Sequence, residues 1–488
     1  MIRTISIILV TITTCFTAKL QASPVCPAKS AASQFHGSSK PWSLAFSNDP
    51  NPQPLKISPN GRYFMTADGK PFFWLGDTGW LLFAKLTREE AIKYLDDRKA
   101  KGFNVIQAMV VHQIAETDAY GDSALKNGNV ATPAITPGSD ANNAEQYDYW
   151  DHIDYVINAA AERGIYIALV PVWGSVVKEK HVNSVQAKKY AGFLADRYKS
   201  KTNIIWMNGG DIKGTDSMAV WKAIGSTLHE KDPGHLITYH PRGRTQSSTW
   251  FHNEPWLSFN VFQSGHRRYN QDTSAGDLHY GEDNWKYIEA DYRKKPVKPT
   301  FDAEPSYEKI PQGLHDPNEK VWTADDVRRY AYWSVFAGGC GFTYGDNAVM
   351  QMHRPGDKDG NYGVKDYWYD AINDPGAAQM QYLKNLMLSK SYFDRVPDQT
   401  LIAGNAGEKY NRLTATRGKG YAFIYTWTGR VIPVNMAKLS GPSVKASWYN
   451  PRDGKYSLIG TYTNKGTQQF DPPGDDKNGN DWVLVLEY

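Results

Sequence analysis

The sequence predicts an α/β chain: a (β/α)8 TIM barrel over residues 55–393, then a small antiparallel β-sandwich domain over residues 394–488. Three observations carry this. Short apolar runs alternate with amphipathic helical patterns, which is how βα units build one parallel sheet. The runs are bounded by Gly, Pro or Asn and are apolar on both faces, as buried parallel strands are. After Asp394 the helical period stops, and only strand-like runs separated by turns remain.

In chain order, Arg62–Met65, the turn Ala67–Lys70 and Pro71–Leu75 read as a hairpin. Eight barrel strands are expected at Phe72–Gly76, Val105–Val111, Tyr166–Val172, Ile204–Met207, Leu236–Tyr239, Phe259–Phe262, Thr300–Phe301 and Phe342–Tyr344. Thr87 stands three residues before Glu90, a capping box, and Ala91, Leu95 and Arg98 share the next helical face until Gly102 ends it. Helices are expected over Asp151–Arg163, Ser184–Lys199, Asp216–Lys231, Thr323–Ala337 and Ala377–Phe393. In the last domain Gly420–Thr426, Lys445–Tyr449, Tyr456–Tyr462 and Trp482–Tyr488 read as strands, with no helical stretch.

The first residues read as an address. Arg3 precedes the apolar run Ile5–Phe16, too short to span a bilayer, and small residues follow, so residues 1–22 are expected to be a signal peptide and the product secreted or periplasmic. Residues 23–54, rich in Ser, Pro and Asn, read as a linker. Cys15 fits a lipoprotein signal poorly. Once it is removed, Cys26 and Cys340 are too few for a disulfide framework. No integral membrane segment is expected.

Lys+Arg (55) exceed Asp+Glu (51) by 55 − 51 = 4, and removing Arg3 and Lys19 leaves +2, which argues against nucleic acid as a partner. The chain lacks Cys/His spacing for zinc, a P-loop or a GxGxxG motif, so no metal and no cofactor is expected. The turns Asp357–Asn361 and Asp475–Asn480 read as solvated rather than calcium-binding. With 16 Trp and 30 Tyr, the chain has many rings able to stack on sugar faces or fill a core.

In a parallel barrel, reactive groups sit just past the strands, at the C-terminal face. The residues there are Asp77 and Trp80; His112 and Gln113; Trp173; Asn208 and Asp211; His240 and Arg242; Gln263 and His266; Asp302, Glu304 and Tyr307; and Tyr344, Asp346 and Asn347. A lone strand-end Asp is most often a helix cap, the histidines can be buried core groups, and Trp80 and Trp173 can be core or sugar platform. Two segments, Ile204–Asp211 and Thr300–Pro305, run from an apolar strand to an acid. Strands four and seven face each other across the mouth, so Asp211 and Glu304 can flank one bond. Glycosidic cleavage needs one carboxyl to protonate the leaving oxygen and a second to attack or to activate water.

Asn60–Tyr63, Asp68–Thr78, Gly102–Gln107, Asn208–Asp211, Asp302–Pro305 and Thr343–Gly345 together resemble the apiosidase-like glycoside hydrolases of family 140. Trp448–Gly454 resembles the small β domain that follows such barrels and carries a collagen-binding label. The resemblance implies a (β/α)8 hydrolase of plant-polysaccharide side chains, with the pectin rhamnogalacturonan II as substrate; the chain is expected to be a monomer. It makes Asp211 the acid/base, Glu304 the nucleophile, and the outcome retention. Asp77, Trp80, His112, Trp173, Asn208, His240, Gln263, Tyr307 and Tyr344 are the expected substrate-binding residues. The residues themselves leave open an arabinofuranoside, a glucan or a xylan as substrate, or a non-catalytic carbohydrate- or matrix-binding protein.

Overall fold

The computed structural model describes residues 52–273, 278–358 and 360–488. The expected signal peptide, Cys15, Cys26 and all but the last three residues of the expected linker lie outside the described residues, as does Asp359. Cys340 is a buried free thiol. Among the described residues no helix is long and apolar enough to cross a membrane, and no group of three or more side chains is arranged to hold a metal ion.

Eight parallel strands form the barrel: β1 Trp74–Thr78, β2 Val105–Met109, β3 Tyr166–Val170, β4 Ile204–Ile212, β5 Ile237–Pro241, β6 Asn260–Gln263, β7 Thr300–Asp302 and β8 Gly341–Tyr344. The sheet runs β5-β4-β3-β2-β1-β8-β7-β6, with an antiparallel edge piece, Thr245–Gln246, on β6. The ring closes between β5 and β6 where the Ser258 N–H donates to Ile237 O (2.8 Å) and the Thr238 hydroxyl to Phe259 O (2.8 Å). The helices that follow the strands are α1 Arg88–Ala100, α2 Tyr149–Glu162, α3 Ser184–Tyr198, α4 Met218–Lys231, α5 Ser248–Phe251, α6 Trp285–Tyr292, α7 Ala324–Phe336 and α8 Pro375–Leu388.

Local chemistry explains the ends. The Thr87–Glu90 capping box starts α1, and Asp148 caps α2, which begins at Tyr149, two residues ahead of the sequence expectation. The buried face of α1 is Ala91, Tyr94, Leu95 and Arg98. The expected first strand splits in two. Pro71–Phe72 belongs to the hairpin, paired with Phe64–Met65, and the barrel ladder begins at Trp74 opposite Gly341. The run Phe72–Leu75 carries no turn residue to mark that junction. The hairpin closes the barrel floor: the Phe64 ring lies 5.0 Å from Phe259, 5.9 Å from Trp74 and 6.2 Å from Phe301. Burying such a ring contributes about 1.5–3 kcal/mol.

The C-terminal domain is a six-stranded antiparallel sheet, ordered Val396–Pro397, Leu413–Gly418, Tyr421–Thr426, Trp482–Glu487, Ser443–Tyr449, Tyr456–Thr463. A two-stranded ribbon, Ile432–Asn435 with Thr467–Phe470, covers one face and buries Ala422, Ile424, Leu484 and Leu486. The alternate residues Tyr421, Phe423, Tyr425, Val483 and Val485 join the barrel core, with Tyr425 stacked on Tyr332 of α7 at 4.8 Å. Both faces of the Tyr421–Thr426 strand are therefore buried, which is why it is apolar without alternation. Only three-residue 3₁₀ turns interrupt the β structure.

Candidate active site

The C-terminal mouth of the barrel holds a cavity of about 300 Å³. Its walls include Trp80, Met109, His112, Trp173, Asp211, Arg242, Arg244, Gln263, His266, Arg267, Glu304, Tyr307, His315 and Tyr362.

Asp211 enters from β4 on a distorted backbone. Gly209, Gly210 and Asp211 all have positive φ (90°, 120° and 49°), and the β4–β5 ladder slips between Gly209 and Ile212. The bulge re-aims the chain so that the carboxylate faces the mouth. The glycines are sterically required. A Cβ on Gly210 would lie 2.5 Å from the Trp173 ring, and one on Gly209 would lie 2.6 Å from His240 O. Asp211 has no such relief and adopts the left-handed conformation as a non-glycine residue, a strain of order 1–2 kcal/mol.

Glu304 follows β7 and is almost fully buried, at 8% exposure. Its Oε1 accepts hydrogen bonds from Gln263 Nε2 (2.7 Å) and from His266 Nε2 (3.2 Å). His240 Nε2 lies 3.2 Å from Oε2 without forming a hydrogen bond to it. One oxygen is thus anchored, while Oε2 accepts no hydrogen bond from the described residues. Both imidazoles are oriented from behind: His240 Nδ1 accepts the Asp211 N–H (3.4 Å), and His266 Nδ1 accepts the Tyr307 N–H (3.4 Å). That leaves Nε2 of each as the N–H facing Glu304.

The two carboxyls have opposite environments. Asp211 is exposed to the cavity yet enclosed by its walls. That enclosure, followed by the negative charge of Glu304, raises its pKa to about 6. Burial alone would raise Glu304 too. The two imidazoles facing it outweigh burial and hold it down at about 2. Asp211 is thereby poised to carry a proton in the range where Glu304 is an anion.

Aromatic rings frame the pair. Trp80 sits 5.3 Å from both Trp173 and His240, and Tyr307 packs 4.8 Å from His266 with its buried hydroxyl unpartnered. Tyr362 lies close enough that burial, then Glu304 and Asp211, push its phenol up to about 12. Glu116, raised to about 6 by burial, accepts the His112 N–H at 2.7 Å and fixes that rim segment.

Of the residues expected from sequence, Asp211, Glu304, Trp80, His112, Trp173, Gln263 and Tyr307 line the cavity, and His240 lies directly behind Glu304. Asp77, Asn208 and Tyr344 do not. Asp77 Oδ2 is fully buried against Arg98 Nε (2.5 Å) and Tyr94 OH (2.6 Å) of α1. Asn208 donates to Trp221 O of α4 (2.8 Å), and Tyr344 donates to Glu308 (2.6 Å). All three point outward, between strand and helix. His266 and Arg242 carried a strand-end signal but no assigned role. His315 and Tyr362 come from long loops after β7 and β8 and carried none. The turn read as solvated is partly tied down: Asp357 accepts from Lys85 (3.0 Å), and Asn361 reaches the cavity.

Known proteins share the family and the fold. The model of the apiosidase-like catalytic domain matches residues 58–394, and one described as "Putative collagen-binding domain of a collagenase" matches residues 396–487. A solved glycoside hydrolase is similar at 48% identity and a TM-score of 0.84, over 89% of this chain and 97% of its own. A glycoside hydrolase family 5 structure from Bacteroides vulgatus ATCC 8482 is similar at 46% identity and a TM-score of 0.83, over 89% and 93%. No curated protein matches the chain.

Proposed function

This chain belongs to the apiosidase-like glycoside hydrolases, and from that premise we propose that it removes sugars from plant cell-wall side chains, as a family 140 enzyme acting on the pectin rhamnogalacturonan II. In this reading it works as a monomer outside the cytoplasm, with Glu304 as nucleophile and Asp211 as acid/base. The observation that supports it most is the pair of carboxyls in one cavity, one held near pKa 2 and the other near 6. Glu304 Oε2, free of hydrogen bonds, attacks the anomeric carbon while Asp211 delivers its proton to the leaving oxygen. Asp211 then takes a proton from the water that releases the sugar, and configuration is retained. Trp80, Trp173 and Tyr307 offer faces and edges on which a sugar ring can rest.

A panel of aryl glycosides and pectin fragments, with NMR of the first-formed anomer, tests the reading. Release of apiose-bearing fragments with retention is expected. Cleavage confined to an arabinofuranoside, a glucan or a xylan would overturn the substrate, and an inverted first product would overturn the nucleophile.

A further inference from the structure

The β domain reaches the loop after β6 through the turn Lys409–Asn411. Tyr410, in the turn Lys409–Asn411, is half-buried between Trp427 (4.9 Å) and Tyr269 (5.6 Å), the latter on the loop after β6. Its hydroxyl donates to Glu282 Oε1 at 2.7 Å. The same oxygen accepts the Tyr269 N–H at 3.4 Å, and Glu282 Oε2 lies 2.6 Å from Arg329 Nη2 on α7. Glu282 and Arg329 are fully buried, and Arg329 is caged by the Tyr410 and Trp427 rings at 4.8 and 4.5 Å. Lys409 stands over the Tyr269 ring at 5.2 Å. A Cβ on Gly281 would come 2.4 Å from the Tyr269 ring, so the ring has little room to shift toward it.

Tyr269 is three residues beyond His266, which anchors Glu304 Oε1, and two beyond Arg267, which lines the cavity. We propose that Tyr410 is a positioning residue contributed by the β domain: through Glu282 and Tyr269 it fixes the loop that presents His266 to Glu304. The proposal rests on Glu304 being the nucleophile. It gives this domain a part in catalysis without contact to substrate, which the collagen-binding description of its family does not include. The physical case is one of tolerance. A hydrogen bond to a carboxylate oxygen holds only within a few tenths of an ångström, and misplacement of about 1 Å costs up to roughly a hundredfold in rate.

The test uses the full chain carrying Tyr410→Phe, which removes a single oxygen, and Lys409→Ala, which removes an exposed cation. Tyr456→Phe, on an exposed strand of the same domain, is the control. Amide hydrogen exchange over residues 264–273 and kcat and KM on the aryl glycoside that the wild-type chain cuts fastest are measured. Tyr410→Phe should speed exchange in that segment and lower kcat about fivefold with KM changed less than about twofold. Lys409→Ala should act in the same direction more weakly, and the control should do neither. Unchanged exchange overturns the proposal, as does faster exchange with unchanged kcat. Where no aryl glycoside is cut, exchange alone decides. Glu304→Gln is run alongside: turnover in that variant would sink the nucleophile reading, whereas an inactive Glu304→Gln with a wild-type-like Tyr410→Phe would sink only the role of Tyr410.

Discussion

Asp481→Asn should loosen the joint between barrel and β domain, and its size can be worked from the contacts. Asp481 is fully buried and takes both Arg328 Nε and Arg328 Nη2 at 2.9 Å, with Arg452 Nη1 at 3.2 Å and the Tyr425 hydroxyl at 3.1 Å. Burial would lower the pKa of Arg328, but Asp481 reverses that and raises it, so the guanidinium stays charged in the joint. Removing one member of a buried pair costs about 3–5 kcal/mol, chiefly through the charge left behind. Asparagine keeps one acceptor oxygen, so one guanidinium bond survives and the lower end applies, about 3 kcal/mol. At about 1 °C per kcal/mol for a chain of this size, Tm falls by about 3 °C. Because Tyr425 and Val483 share a core with α7, the loss should appear as one shifted transition in calorimetry, and kcat/KM measured well below it should be nearly unchanged. A shift under about 1 °C, or a separate early transition for the β domain, would refute the reasoning.

Four further outcomes follow from the site. Glu304→Gln abolishes turnover on every substrate, measured as residual kcat. Asp211→Asn harms poor leaving groups most and gives a burst with activated aryl glycosides, and azide restores turnover to Asp211→Ala; equal losses on good and poor leaving groups would contradict the assignment. The kcat/KM profile is bell-shaped, rising as Glu304 ionises near pH 2 and falling as Asp211 loses its proton near pH 6; a profile flat through pH 6 would remove Asp211 as the acid. Gly210→Ala, whose Cβ would meet Trp173 at 2.5 Å, lowers kcat by at least about tenfold with a smaller loss in Tm, read by kinetics beside calorimetry.

The barrel was legible because its strands are buried on both sides and its helices announce their starts, as Thr87 and Thr323 do. The rule that gathered strand-end residues found Asp211, Glu304 and Gln263, yet it also took Asp77, Asn208 and Tyr344. Parity separates the two groups. Side chains alternate along a strand. Thr78 and Thr343 sit on the barrel side of β1 and β8, which sends their neighbours Asp77 and Tyr344 outward. On β4, Met207 packs in the barrel core and Asn208 turns to α4. The strand-end rule alone does not carry that phase, because a doubly buried strand has no apolar–polar alternation to read it from. Nor does it anticipate the left-handed Asp211: the Gly209-Gly210 pair signals a bend, but its direction is set by Trp173 and His240, which arrive from other strands. His315 and Tyr362 were invisible for another reason. They lie far from any strand end and are brought back by long loops whose course depends on packing.

In the proposed reaction, the same contacts that set the resting protonation states also drive the second half of the cycle. Asp211 holds its proton for two reasons, enclosure and the negative charge of Glu304. Attack by Glu304 turns that carboxylate into a neutral ester, and the second reason disappears while the first remains. The pKa of Asp211 must then fall, just when the mechanism asks it to act as a base toward water rather than as an acid toward the leaving group. His240 strengthens the coupling, since its ring touches Glu304 at Nε2 and the Asp211 backbone at Nδ1. The left-handed turn at Asp211 therefore does two things at once. It aims the carboxyl into the mouth, and it leaves the Asp211 N–H pointing at the imidazole that helps keep the nucleophile charged.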